Sequence, residues 1–301
     1  MRLSVPSRIA LLLTLAVLAA PACAELVVTD DAGKLVRLPA PAQRVVSLAP
    51  HATELLFAAG AGSRVVGVSA FSDYPQAARS LPLVSGGMHL DMERILALRP
   101  DLAVAWRSGN TRADLEKLAT LGIPVFFAEP QRLDAVPDTL LRIGRLAGSE
   151  RQAQAAAARY RAELARLRAR YRDRTPVRVF FEIGMQPLMT LSHAHLASDV
   201  LALCGGQNVF PASDLLAPEV GMEAVMLQDP DVILFSDELG TADDVRGWWR
   251  ERVALRAVRA NRVYSFPAEL VLRQTPRVLQ GVRHTCEALD AARASLAAER
   301  R

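Results

Sequence analysis

Apolar and polar positions follow two rhythms along this chain, and the longest regular stretch lies near its middle. Between Gly148 and Pro176 there is neither glycine nor proline. Within that stretch Ala153, Ala156, Ala157, Tyr160, Leu164, Leu167 and Tyr171 fall three or four residues apart. Such spacing puts them on one narrow face of an amphipathic helix. Ser149 with Gln152 reads as a capping box, and Pro176 supplies the stop. At 1.5 Å per residue the helix spans about 35 Å, roughly the width of a small domain. The pattern predicts a stiff rod over 149–174 that joins two lobes. An ordinary long surface helix within one domain is the alternative.

On both sides of the rod, short apolar runs alternate with helical patterns. Residues 26–29 and 35–38 predict a hairpin around Asp30-Asp31-Ala32-Gly33. A strand over 44–48, broken by Pro50, precedes a helix over 53–59 closed at Gly60. Strands follow at 65–68, 102–105 and 125–127, with helices at 92–98, 112–121 and 136–147. After the rod come strands at 177–182, 232–235 and 263–266, and helices at 196–203 and 221–227. Trp248-Trp249 begin or flank another helix, and Thr275-Pro276 cap a terminal one of about 20 residues. Strands alternating with helices imply mainly parallel sheets. The fold class is therefore α/β, with two Rossmann-like lobes, 25–148 and 175–301, joined by one long rigid helix.

The stretch 93–104 is repeated at 223–234. Glu93, Pro100 and Asp101 recur as Glu223, Pro230 and Asp231, all at an offset of 130. Two copies of one helix-stop-strand unit, one on each side of the rod, imply lobes of like construction.

Composition and charge then narrow the class. The chain has 301 residues, 51% of them apolar, with a formal net charge of +4. Much of that excess sits on the rod, where eight arginines face Glu150, Glu163 and Asp173. No nucleic-acid motif accompanies them, so they read as a solvated helix face and not as a nucleic-acid surface. Residues 1–24 have the form of a signal peptide: Arg2 and Arg8, an apolar run over 9–20, then Ala22-Cys23-Ala24 as the cleavage pattern. Cleavage after Ala24 makes the protein exported and soluble; acylation of Cys23, as in a lipoprotein, is the alternative. It also leaves two cysteines, Cys204 and Cys286. An even pair in an oxidising compartment suggests a disulfide, with buried free thiols as the alternative.

Ligands of open α/β sheets sit beyond the carboxyl ends of the strands. Trp106 stands at such an end, and Phe71 and Tyr74 follow the preceding strand, so a flat apolar ligand is one reading of these rings. Glu93 and Glu223 read either as helix-end charges or as carboxylates that meet two arginines of a partner. His193, His195 and Asp199 have weak metal-ligand spacing. They would be the site of an exported metal-dependent hydrolase, but nothing completes a metal centre. His51, after the strand-breaking Pro50, reads as a satisfied loop histidine, with a place facing the cleft as the alternative. No nucleophile elbow, phosphate loop or dinucleotide fingerprint occurs, so the chain is expected not to be an enzyme and to carry no cofactor.

Several stretches carry a family likeness. They are Arg44-Val-Val-Ser-Leu-Ala-Pro-His-Ala-Thr-Glu-Leu, Val68-Ser-Ala-Phe-Ser-Asp-Tyr-Pro75, Met92-Glu-Arg-Ile-Leu-Ala-Leu-Arg-Pro-Asp-Leu, Ala105-Trp-Arg-Ser-Gly-Asn110, Cys204-Gly-Gly-Gln-Asn-Val-Phe210 and Thr275-Pro-Arg277. With them the chain resembles the cobalamin-binding members of the helical-backbone (class III) periplasmic binding proteins of ABC importers. That resemblance implies a corrinoid held between the lobes by Phe71 and by 269–273, that is Glu269, Leu270, Val271, Leu272 and Arg273. It implies docking of Glu93 and Glu223 to arginines of an ABC permease dimer with its ATPase subunits, and a Cys204–Cys286 disulfide. A monomer is expected. The chain departs from the pattern at Leu270 and Val271, where the family's best-known member has an aromatic pair, and near Gly87, where that member has a tryptophan. The same fold also carries haem or iron-siderophores. Haem would call on Tyr74 or His51 for iron, and an anionic siderophore on Arg107 and Arg273.

Overall fold

The computed structural model describes residues 25–86 and 89–301. The signal segment, Cys23 and the surroundings of Gly87 lie wholly or partly outside those residues.

A hairpin of β1 (Leu26–Thr29) and β2 (Leu35–Leu38) opens the chain. Asp30 makes its turn by accepting from the backbone N–H of Ala32 and of Lys34, at 2.9 and 2.8 Å. Next come β3 (Val45–Ser47), α1 (Pro50–Ala58), β4 (Val65–Val68), α2 (Met92–Ala97), β5 (Leu102–Ala105), α3 (Arg112–Thr120), β6 (Val125–Phe127) and α4 (Ala135–Ala147). These four strands form a parallel sheet in the order β4-β3-β5-β6. Pro50 does more than break a strand. It opens α1, where the N–H it lacks would have no partner.

The rod is α5 (Glu150–Tyr171). Beyond it lie β7 (Val177–Glu182), the small hairpin β8 (Gly184–Met185) and β9 (Leu188–Met189), α6 (Leu196–Leu203), β10 (Gly206–Asn208) and α7 (Met222–Gln228). The chain ends with β11 (Val232–Ser236), α8 (Ala242–Arg250), α9 (Arg256–Arg259), β12 (Val263–Phe266), α10 (Ala268–Val271) and α11 (Val278–Glu299). A second parallel sheet runs β10-β7-β11-β12. Trp248 and Trp249 fall at the end of α8 and not at its start, because Thr241 and Asp244 form the capping box that opens it.

All seven stripe residues of α5 are buried, and all eight arginines between 151 and 174 are exposed. The stripe packs on α1 and α4 of the first half and on α6 and α11 of the second. One hydrophobic cluster therefore runs through both halves. Gly144 allows α4 to approach closely, since a Cβ there would lie 2.3 Å from that of Ala153. Ser149 does not form the anticipated capping box. Its hydroxyl donates instead to the carbonyl of Ala59 at 2.8 Å, satisfying a buried oxygen at the end of α1.

The internal repeat extends to individual bonds. Arg44 Nε donates to the carbonyl of Leu98 at 2.8 Å, and Arg178 Nη2 to that of Gln228 at 2.7 Å. Asp101 accepts from the backbone N–H of Arg44 at 2.9 Å, as Asp231 does from Arg178 at 3.1 Å. Arg99 and Asp229, before the two prolines, share a left-handed backbone with φ of 45° and 36°. Each half thus clasps its short helix to its first parallel strand in the same way. Cys204 and Cys286 form a disulfide that ties the end of α6 to α11.

Candidate functional site

A cavity of about 190 Å³ lies between the halves, beyond the carboxyl ends of β5 and β12. Trp106, Pro50 and His51 line it from the first half. Glu238 and the segment around Ala268, Glu269, Leu272, Arg273 and Gln274 line it from the second.

The loop after β5 is built to hold the indole. Asn110 Oδ1 accepts the backbone N–H of Trp106 at 2.8 Å, while its Nδ2 donates to the carbonyl of Leu48 at 2.9 Å. The indole Nε1 donates to Glu129 at 3.0 Å, and Ser108 donates to the same oxygen. Gly109 passes beneath the ring, where a Cβ would come within 2.0 Å of it. The Trp-Arg-Ser-Gly-Asn stretch is therefore a mount for one aromatic side chain. His51 meets that ring edge-on at 5.3 Å and donates from Nε2 to the carbonyl of Ala128 at 2.8 Å. Burial lowers its pKa to about 4, so the ring is neutral at neutral pH. His51 is thus satisfied as expected, but within α1 and against the cavity.

Arginines from the second half close the cavity's flank. Arg277 donates to both oxygens of Glu54, through Nε and Nη2, at 2.8 Å each. Arg273 Nη1 reaches Glu54 at 3.1 Å and Asp73 at 2.8 Å. Glu54 is buried in α1. The bond to Glu54 is the main cause of a raised pKa at Arg277. Burial works against the charge of Arg273, but its bonds to Asp73 and Glu54 outweigh that and raise its pKa too. A second link joins the halves near α5, where Asp199 accepts from the backbone N–H of Leu133 at 3.0 Å and pairs with Arg132 at 2.8 Å.

The anticipated site residues do not all gather. Trp106, Glu269, Leu272 and Arg273 share the cavity. Tyr74 lies beside it under the Arg277 guanidinium, 4.0 Å from its ring centroid, and the Phe71 carbonyl lies 3.4 Å from Arg273 Nη2. The Phe71 side chain is 78% exposed. Leu270 is buried, and Val271 is fully so, part of the core around α11, which turns it away from any ligand. Arg107 stands apart from the cleft, in a groove with Lys34 and Arg112. The hydrolase trio has separate duties. His195 caps α6, His193 bonds to the carbonyl of Pro211 at 2.7 Å, and Asp199 joins the halves. Glu93 and Glu223 stand exposed in the first turns of α2 and α7.

Sequence reasoning missed Glu54, Glu238, Gln274 and the role of Arg277. A lone acid among the apolar residues of α1 was the available signal for Glu54. Gln274 is buried, and its side-chain oxygen has no hydrogen-bond partner among the described residues.

Among the described residues, two parallel sheets, one bridging helix and a cleft between the halves give the architecture of a binding protein. The chain belongs to the periplasmic binding protein family, whose model matches residues 45–270. It is a periplasmic solute-binding protein of the class III fold and not an enzyme, and proteins of this family work with ABC transporter permeases. It is 39% identical over 254 residues to the vitamin B12-binding protein of Yersinia pestis (strain Pestoides F), covering 84% of this chain and 89% of that protein. The crystal structure of the periplasmic vitamin B12-binding protein BtuF of Vibrio cholerae superposes with a TM-score of 0.76 at 36% identity, covering 84% of this chain and 98% of that one. The periplasmic haem-binding protein RhuT of Roseiflexus sp. RS-1, in apo form, gives 0.73 at 27% identity, covering 83% and 99%.

Proposed function

We propose that this protein captures cobalamin or a related corrinoid between its halves and delivers it to the permease. The observation that carries this reading is the Trp106 mount, which presents a fixed indole across the cleft from 268–274. A flat, largely apolar macrocycle suits such a wall. The unpaired Gln274 oxygen and the Glu238 carboxylate add acceptors for the amide side chains that ring a corrinoid. Haem fits less well. Of its two candidate iron ligands, His51 has committed Nε2 to Ala128 and Tyr74 lies under Arg277.

The cavity of about 190 Å³ is smaller than the roughly 300–1,000 Å³ usual for ligand pockets. Entry of a corrinoid therefore separates the walls, pivoting on α5 and acting against the Arg273 and Arg277 bonds. The working units are a cleaved signal peptide over 1–24, lobes over 25–148 and 175–301, and the rod over 149–174. The protein acts as a monomer whose Glu93 and Glu223 meet arginines of the permease dimer. Phe71, Tyr74, Trp106, Glu269, Leu272 and Arg273 are the ligand contacts we retain.

Calorimetric titration with cyanocobalamin, cobinamide and haemin tests the assignment. Stoichiometric corrinoid binding is expected. Tight haemin binding with neither corrinoid would overturn it.

A further inference from the structure

The surface around the two docking glutamates repeats more than their charge. Over 91–98 and 221–228 the order of exposed and buried positions is identical. Each helix buries one side chain, Ile95 in α2 and Val225 in α7. One turn beyond Glu93 stands Leu96, 44% exposed; one turn beyond Glu223 stand Met226 at 48% and Leu227 at 85%. Leu96 and Met226 keep the offset of 130 that relates the glutamates. Leu83, also exposed, adjoins α2, because Arg94 donates to its carbonyl at 2.9 Å.

A single exposed apolar side chain is ordinary. The same residue class at the same place in both halves is not, particularly on helices clasped by matching Arg–Asp bonds. We propose that Leu83 with Leu96, and Met226 with Leu227, are paired apolar patches that seat on the permease alongside Glu93 and Glu223. This inference rests on the docking reading given above. Two like epitopes held at fixed separation fit a partner that presents one site twice, as a two-fold dimer does. An apolar surround also keeps water from the carboxylate–arginine pair and so strengthens it. A second copy of this chain would set acid against acid, and an anionic membrane surface would repel both glutamates.

The test uses the full mature protein, its cognate B12 permease–ATPase complex in nanodiscs, and two variants. One is Leu96→Ser with Met226→Ser and Leu227→Ser; the other is Glu93→Ala with Glu223→Ala. Binding to the complex, ATPase stimulation, cyanocobalamin affinity and sedimentation are measured for each. The serine variant is expected to melt and bind cyanocobalamin as wild type does, while its affinity for the complex falls about tenfold. If it docks within twofold of wild type while the alanine variant fails, the apolar patches are idle and this inference falls, though the docking reading stands. If both variants dock normally, the docking reading falls as well. If the serine variant loses only self-association, the patches belong to a second copy and the inference is overturned.

Discussion

Arg277 grips both carboxylate oxygens of Glu54 at 2.8 Å, joining halves of the molecule that are 223 residues apart in the chain. Arg273 shares the same carboxylate. Glu54→Ala would leave two part-buried guanidinium groups facing each other without their common partner. Breaking a buried pair from one side costs about 3–5 kcal/mol, and Asp73 and Glu269 remain to offset some of it. Urea denaturation is expected to show a loss of about 3 kcal/mol. A loss under about 0.5 kcal/mol, the scale of an ordinary surface substitution, would show that the bond contributes little to holding the halves together.

The Trp106 mount predicts a graded response in ligand binding. Trp106→Phe keeps an apolar face but loses the bond to Glu129. Trp106→Ala loses the face itself, worth about 2 kcal/mol, or roughly thirtyfold in affinity. Calorimetry with cyanocobalamin is expected to rank wild type, then Phe, then Ala. Equal affinities for all three would remove Trp106 from the site.

Glu182 predicts a specific pH dependence. It ends β7, is fully buried, and among the described residues accepts only from the Trp249 indole, at 3.0 Å through one oxygen. Burial, only partly offset by the Trp249 bond, raises its pKa from 4.5 to about 7. A carboxyl raised on folding gives its full stabilisation below pH 4.5, and this is lost as pH rises through 7. His51 and His195, lowered by burial to about 4, act in the opposite sense. Their stabilisation is full above 6.5 and is lost as pH falls towards 4. The stability difference between Glu182→Gln and wild type isolates the acid. It should move in favour of the variant by about 3 kcal/mol from pH 4.5 to 7. A flat difference over that range would place the Glu182 pKa near its ordinary value.

The disulfide spans 82 residues of sequence, from the end of α6 to α11. Closing a loop of that length stabilises by about 2–4 kcal/mol, chiefly by restricting the unfolded chain. Cys204→Ala with Cys286→Ala is expected to lower Tm by about 5 °C in a chain of this size. Calorimetry checks this, and an unchanged Tm would mean the unfolded chain is not restrained by the bond.

Periodicity alone was enough to place the long helix, because seven apolar residues lie at helical spacing, but not to say whether it joins two lobes or lies on one. The strands of both sheets were legible where apolar residues dominate a short run, as in Leu102–Ala105 and Val232–Ser236. β10, made of Gly206-Gln207-Asn208, has no such run and is recognisable only from its pairing with β7. Ser149 showed how local chemistry yields to packing: its capping pattern is present, but the carbonyl of Ala59 claims its hydroxyl. The site was half legible. Trp106 announced itself as an aromatic at a strand end, but Glu54 and Arg277 acquire meaning only once folding brings α1 and the segment before α11 together. Val271 illustrates the opposite error, since proximity in sequence to Arg273 says nothing about which way a side chain on a short helix turns.

The apolar stripe of α5 belongs to the interiors of both halves, so each half, beside a smaller cluster of its own, shares its largest one with the other. Severing the chain within α5 would expose Tyr160, Leu164 and Leu167 on one fragment or the other. The two pieces are thus poor candidates for separate expression, and heating should melt the intact molecule in a single cooperative step.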